Sequence, residues 1–462
     1  VRRLVVQGIR DAAGDLFIPD VVRVGPNFAD DVRVRSLDAL ARKEIDKATP
    51  LPPQGGGGAG GGAADGTNAP RGSPLDRARL AVLNACQIVC TTLSCAGYAM
   101  FSQLQRGFDT VLIDEAAQSV EIASLIPLRT GCQRLILVGD PQQLPATVFS
   151  SHAVAAGYER SLFERLQGAG HRTHLLRTQY RMHPDISRFP ARHFYSGRLI
   201  DASTVVTERA RPYHAYRLFA PYSFVDVADG EAELTSGASW ANTSEARLVV
   251  LIVRHLLAEH AHIAGPGCEH IGVVSPYNGQ VKRIRALLRD ELGAEAVARL
   301  DVHSVDGFQG REKEVILLSC VRAGRGGGRG IGFLKDARRL NVALTRAKSL
   351  LIVLGSARTL AVDTTWRALI EDARARGCLL KATAPLDRWF KHASAQPAAS
   401  AGEAGAAAEA QSQGVGAADG VTMARTAATA SAKRAVAAAG DAGAVEPAAP
   451  AAKRKRAATR AP

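Results

Sequence analysis

VLIDEAAQ (Val111–Gln118) and LILVGDPQQLP (Leu135–Pro145) are short apolar runs, each breaking off at a carboxylate. Such a run, bounded by polar turn residues, is the pattern of a strand buried on both faces of a parallel sheet. Working outward, similar runs lie at Thr110–Ile113, Leu135–Val138, Ile271–Val274, Val315–Leu318 and Leu350–Leu354. Helical spacing separates several of them. Across Gly279–Leu292, for instance, Val281, Ile284, Leu287 and Leu288 share one face. Strands alternating with helices predict an α/β fold with mostly parallel sheets, whose ligands bind beyond the carboxyl ends of the strands. Those ends carry Asp114-Glu115, Gly139-Asp140, Ser275-Pro276-Tyr277 and Ser319-Cys320-Val321-Arg322.

Two adjacent carboxylates after a strand suit nucleotide hydrolysis. One can hold Mg²⁺ and the other can orient or deprotonate the attacking water. Asp114 fits the first role and Glu115 the second. An isolated Asp-Glu pair is more often a solvated strand end, but the second strand ending in Asp140 changes that reading. Gln143, just beyond it, can reach both a γ-phosphate and the carboxylates.

LIDEAAQ, VGDPQQLP, QYRMHP (Gln179–Pro184), SPYNGQ (Ser275–Gln280), VDGFQGREKEVILLSCVRA (Val305–Ala323) and LNVALTRAK (Leu340–Lys348) follow one another in the order found in a known group. The chain resembles the superfamily 1 helicases of the senataxin and nonsense-mediated-decay group, with the senataxin-like termination helicases most similar. The likeness runs from about Val21 to Leu380. It implies two RecA-like domains that use ATP and Mg²⁺ and translocate 5′→3′ on single-stranded RNA or DNA. RNA:DNA hybrid processing in transcription termination, with transcription or RNA-processing proteins as partners, is implied too.

The resemblance also assigns roles. Tyr180 matches the aromatic that packs on the nucleotide base, and Arg181 the cation that contacts the γ-phosphate. Arg346 matches the arginine finger, whose fork neutralises charge on the transferred phosphoryl group. Glu312 matches a nucleotide-contacting carboxylate, and Gly307 gives the backbone room to approach. Strand contacts are implied for Thr91, Thr92 and Ser94 in CTTLS, for Ser275, Pro276 and Tyr277, and for Ser304, which stands where the pattern has Thr. Tyr277 could equally be ordinary packing. In residues 336–348, Leu340, Ala343, Leu344 and Ala347 fall on one helical face, with Arg339 and Arg346 beside it and free to leave the core. His183 reads as a turn or helix-start residue rather than a catalytic one.

Two features depart from the family. No GxxxxGK[ST] phosphate-binding loop occurs in the chain. In the family that loop precedes the VRVG segment (Val22–Gly25), so the chain reads as truncated ahead of Val1, with an incomplete first sheet. Without the loop, a nucleotide-incompetent fragment that only grips nucleic acid is the alternative, and a motor that remodels protein–RNA complexes is another. The second departure lies between Ser36 and Leu80, where the family carries a helical prong. Here the middle is PPQGGGGAGGGAADGTNAPRGSP, too poor in apolar residues to fold.

The expected organisation is a partial first RecA-like domain (1–48), a flexible insertion (49–74), the rest of that domain (75–167), a second RecA-like domain (168–385) and a disordered basic tail (393–462). The 462 residues carry a net charge of +14. Eight Lys/Arg and five Asp/Glu from Ala393 onward account for only +3 of it. A basic folded body fits a polyanionic partner. The absence of an eighteen-residue apolar run argues against a membrane span, and no leader pattern follows Val1. Seven Cys without ligand spacing predict buried thiols in a reducing compartment. Lys453-Arg454-Lys455-Arg456 predicts nuclear import, with a cytoplasmic, counterion-binding tail as the alternative.

Overall fold

The computed structural model describes residues 2–10, 13–26, 29–48, 72–259, 270–324 and 330–398. The low-complexity insertion from 49 to 71 and the basic tail from 399 lie outside the described residues. The expectations about their flexibility and import signal therefore fall outside them too.

The dominant element is a six-stranded, wholly parallel sheet. Its strands lie in the order Asp301–Ser304, Ile271–Ser275, Lys313–Ser319, Ala347–Gly355, Tyr222–Val227, Leu379–Ala382. Successive side chains alternate faces, so each strand feeds two cores. Val315, Leu317, Leu350, Ile352 and Leu354 face one core, completed by the helices Thr243–Glu259 and Asn278–Leu292. Ile316, Leu318, Leu351 and Val353 face the other, closed by the helices Pro184–Phe194, Ala337–Leu344 and Thr364–Ala375. Each fully buried Leu or Ile here is worth about 1.5–3 kcal/mol.

The residues ahead of this sheet are built more lightly. Val21–Val24 pairs with Ile88–Thr91, and Thr110–Ile113 with Arg134–Leu137, both in parallel. Among the described residues these form separate two-stranded pairs. A small core of Val22, Val24, Leu37, Leu83, Cys86 and Phe101 sits beneath the first pair. Leu112 and Ile136, on the second pair, are exposed.

The expected runs at 110–113, 135–138, 271–274, 315–318 and 350–354 are all strands, and the predicted helix at 279–292 spans Asn278–Leu292. One detail is corrected. The helix expected through residues 336–348 ends at Leu344, and the Thr345 hydroxyl at its C-cap bonds back to the Asn341 carbonyl at 2.8 Å. The strand that follows already begins at Ala347. Leu340, Ala343 and Leu344 are buried as expected, but Arg346 is not free at a helix surface. It sits in the turn and is only 3% exposed. On either side of the insertion, helices Leu37–Ala48 and Pro74–Ala85 are tied by a 2.8 Å ion pair between Arg79 and Asp38.

Candidate nucleotide site and nucleic-acid face

At the end of Thr110–Ile113 the chain must turn sharply to present two carboxylates. It does so by placing Glu115 in the left-handed region, φ 53°, with its amide donating to Asp114 Oδ1 at 3.0 Å. A non-glycine residue there is strained, as functional turns often are. The turn is pinned from behind, since the Ala116 amide donates to the Val138 carbonyl at 2.7 Å. Gly139 permits that approach, because a Cβ on it would lie 2.7 Å from the Ala117 amide nitrogen. Burial, and then the neighbouring charges of Asp114 and Asp140, hold the Glu115 carboxyl above the usual range, while Arg346 pulls it back.

The opposing face carries cations. Arg346 is held by neutral acceptors: its Nε donates to the Val342 carbonyl (3.0 Å), and a terminal nitrogen donates to Gln143 Oε1 (3.2 Å) and Thr345 Oγ1 (3.0 Å). Burial, and then repulsion from Arg181, push its pKa down to about 10. Arg181 donates to Glu312 at 2.5 Å and to the Thr345 carbonyl at 3.1 Å. Although burial works against it, the Glu312 carboxyl is held below its usual range by Lys348 (3.0 Å away) and Arg181.

Between the two faces runs a hydrogen-bond relay. The Tyr195 hydroxyl donates to Asp140 Oδ2 at 2.6 Å and accepts from Asn341 Nδ2 at 2.9 Å. Asn341 Nδ2 also donates to the Gln142 carbonyl at 2.9 Å, and Gln143 Nε2 donates to Asp140 Oδ2 at 2.9 Å. Leu144 packs into the core beside Met182 and Ile186. The Asp140–Leu144 loop is thereby seated against the elements that carry Arg346.

Glu115, Gln143, Arg346, Arg181 and Glu312 thus form one continuous cluster, with Asp114 at its edge. Tyr180 lies beside it, 65% exposed, its carbonyl bonded to Arg209. Gly307 is elsewhere: its amide donates to Ser304 Oγ at 3.2 Å, and its nearest neighbours are Ser304 and His303. Arg339 is absorbed by Asp306 (3.1 Å) and Asp336 (2.8 Å). His183 caps the helix Pro184–Phe194, its Nδ1 accepting from the Asp185 amide. The sequence reading missed Tyr195 and Asn341 as site residues. Their separation of 146 positions leaves no local signal.

The expected strand-contact residues also fall at strand ends. Ser275 and Ser304 are register partners on adjacent strands. The Ser275 side chain is buried and accepts from the Tyr277 amide, while Tyr277 is buried with its hydroxyl donating to the Ile331 carbonyl at 3.0 Å. Thr91 ends the strand beside Val24, and Thr92 Oγ1 accepts from the Cys95 amide. Thr92 and Ser94 are exposed.

Does this donor set suit a magnesium nucleotide? Arg346 is a buried cation bonded only to neutral oxygens, an arrangement that invites an anion. The carboxylates opposite it repel one another. No group of three or more potential metal ligands occurs among the described residues. A magnesium ion takes one or two carboxylates, such as Asp114 offers, and completes its shell from phosphate and water. The residues fit.

A class of protein is defined by this combination: a parallel α/β fold in which strand-end carboxylates face a buried arginine belongs to nucleotide-handling motors. Two family models described as AAA domains match the chain, over residues 75–151 and 158–358. The probable helicase MAGATAMA 3 of Arabidopsis thaliana is 43% identical over 392 residues, 84% of this chain and 46% of the relative. Helicase SEN1 of Saccharomyces cerevisiae is 44% identical over 313 residues, 67% of this chain and 14% of the relative. The ATP-dependent helicase NAM7 of the same yeast is 40% identical over 307 residues, 65% of this chain and 30% of the relative. The chain belongs to the superfamily 1 helicases, in the group that holds Sen1, senataxin and NAM7. It spans less than half the length of these relatives.

Proposed function

We propose that this chain carries most of the motor of an ATP- and Mg²⁺-dependent helicase that moves 5′→3′ along single-stranded RNA or DNA. The observation that carries the reading is Arg346, a buried guanidinium with neutral partners, set across from Asp114 and Glu115. The magnesium nucleotide, when bound, would supply the phosphoryl group and a divalent charge beside it. Asp114 would hold the ion. Glu115, its proton affinity already raised, accepts a proton from the attacking water. Gln143 aligns that water and reports its position to Arg346, to which it is bonded. Arg346 and Arg181 neutralise charge developing on the oxygens. Glu312 holds Arg181 in place.

No GxxxxGK[ST] occurs in the 462 residues, so the amide cradle and its lysine are not supplied by them. The strand path crosses the carboxyl ends of the sheets, from Thr91, Thr92 and Ser94 to Ser275, Pro276, Tyr277 and Ser304. Contacts to phosphate and sugar there imply little sequence preference. Processing of nascent RNA or RNA:DNA hybrids in the nucleus, alongside transcription or RNA-processing proteins, follows from likeness to the senataxin-like relatives. The basic cluster Lys453–Arg456 supports nuclear placement. Among the described residues, no helix is long and apolar enough to cross a membrane.

The test is directional unwinding by a chimera that sets a GxxxxGK[ST]-bearing segment from a helicase of this group ahead of Val1. A duplex with a 5′ overhang should be separated in the presence of ATP, and Glu115→Gln should abolish this. Separation only from a 3′ overhang, or unwinding indifferent to Glu115→Gln, would overturn the reading.

A further inference from the structure

Beyond the ends of two neighbouring strands, Ile271–Ser275 and Lys313–Ser319, lies a depression of about 560 Å³ that the motor chemistry does not use. Trp240, Tyr277, Arg322, Phe333, Lys335 and Arg339 line it. Its floor is held in place. The Tyr277 hydroxyl is bonded to the Ile331 carbonyl, and the next residue, Gly332, adopts φ +60° with no room for a side chain. A Cβ on it would meet the Tyr277 oxygen at 2.9 Å. This tight turn swings Phe333 outward, where it is 62% exposed. Phe333 does not stack on Tyr277, since the ring centroids are 6.0 Å apart and tilted by 53°. On the other wall, the Arg322 guanidinium lies 4.2 Å from the Trp240 ring centroid and donates to the Gly330 carbonyl at 2.7 Å, which orients the indole.

The Arg339 guanidinium lies 5.8 Å from the Phe333 ring centroid, and the exposed ring beside an exposed lysine offers a π-face and a cation at adjacent points. That pairing matches a single nucleotide. Bases of any identity stack on an aromatic face, while the phosphate seeks the ammonium. The volume lies in the range that encloses a small organic ligand. The setting is cationic as well, with three cations and the Asp336 carboxylate around the depression. We infer that it takes one unstacked nucleobase of a bound single strand, laid on Phe333, with the adjoining phosphate on Lys335. This rests on the nucleic-acid reading proposed above. It deepens that reading by naming a base-holding subsite beside Tyr277, one of the proposed strand contacts. Because the grip is on the base face, it serves RNA and DNA alike.

The experiment uses residues 1–462 and a set of single strands of about a dozen nucleotides. Each carries 5-iodouracil at a different position, in RNA and DNA versions. Irradiation couples the iodinated base to an aromatic ring stacked on it, and anisotropy of the same end-labelled strand gives affinity. The expected result is a crosslinked peptide containing Phe333 from one strand position. Phe333→Ala should lose that crosslink and weaken binding about tenfold. Phe333→Trp should restore both, and Lys335→Ala should lower the salt dependence of binding by about one unit of slope. Because Phe333 is exposed, its replacement leaves the core intact. Tight binding with crosslinks only elsewhere, or unchanged affinity in Phe333→Ala, overturns this inference and leaves the nucleic-acid reading standing. Failure of the parent chain to bind any strand overturns both.

Discussion

The two faces of the proposed nucleotide site are built on opposite principles. Asp114 and Glu115 stand on an exposed turn after a two-stranded pair, and the hydrophobic residues Leu112 and Ile136 of that pair face solvent. Arg346 and its partners grow out of a six-stranded sheet whose central strand, Ala347–Gly355, is buried almost end to end. The carboxylates are aimed by a strained backbone and a few amide bonds, and the cations by packing. The difference teaches where each kind of group can be kept. The carboxylates of Asp114 and Glu115 sit at an exposed surface. The Arg346 guanidinium is stored buried, at the expense of fold stability.

Four measurements bear on this contrast. The largest expected effect is functional. In the P-loop-completed chimera, Arg346→Ala should lower kcat for ATP hydrolysis about 10³-fold, with single-strand affinity within about twofold of the parent. Equal losses in steady-state turnover and in binding would make Arg346 a structural residue. Next comes the core of the large sheet. Ile352→Ala should cost about 4 kcal/mol in urea unfolding, and a loss below about 1 kcal/mol would show that this sheet is not the stabilising body.

The third concerns pH. Glu245 is fully buried, accepting from Ser319 Oγ at 2.6 Å and the Val321 amide at 2.8 Å. Burial pushes its pKa up to about 7, against those bonds. The unfolded chain therefore releases this proton first as pH rises from about 4.5. Stability should then fall through pH 4.5–7, by about 3 kcal/mol in all. Glu245→Gln should flatten that decline in chemical denaturation at pH 5 and pH 7.5, and an unchanged slope would assign the pH dependence to other groups. The smallest outcome belongs to the lighter region. Leu112→Ala should change stability by less than about 0.5 kcal/mol, so a loss like that at Ile352 would mean that this face is covered in solution.

Much of this was legible in the sequence, and what was missed has physical causes. Runs such as Val315–Leu318 declare themselves because both faces of the strand are buried, leaving no polar alternation to confuse the period. Tyr222–Val227 escaped because Ser223 and Asp226 interrupt it. The structure satisfies them internally, Ser223 donating to the Leu218 carbonyl and Asp226 accepting from the Ala357 amide. Asp301–Ser304 holds a single apolar side chain, Val302, and lies at the sheet edge. In the site, adjacent carboxylates after a strand could be read locally. The bond from Arg346 to Gln143 could not, since it closes a gap of 203 residues. Helical spacing placed Arg346 beside a solvent face. The helix instead ends at Leu344, and Arg346, in the turn that follows, is buried.

On the reading proposed above, these residues hold both chemical faces of an ATPase motor, while no GxxxxGK[ST] cradle occurs among them. Single-strand-stimulated ATP hydrolysis, measured side by side for residues 1–462 and for the P-loop-completed chimera, tests it most directly. Turnover near background in the former and strand-stimulated turnover in the latter, removed by Glu115→Gln, is the expected result. Robust hydrolysis by residues 1–462 alone, itself removed by Glu115→Gln, would contradict the account, because some other part of the chain would then be cradling the phosphates.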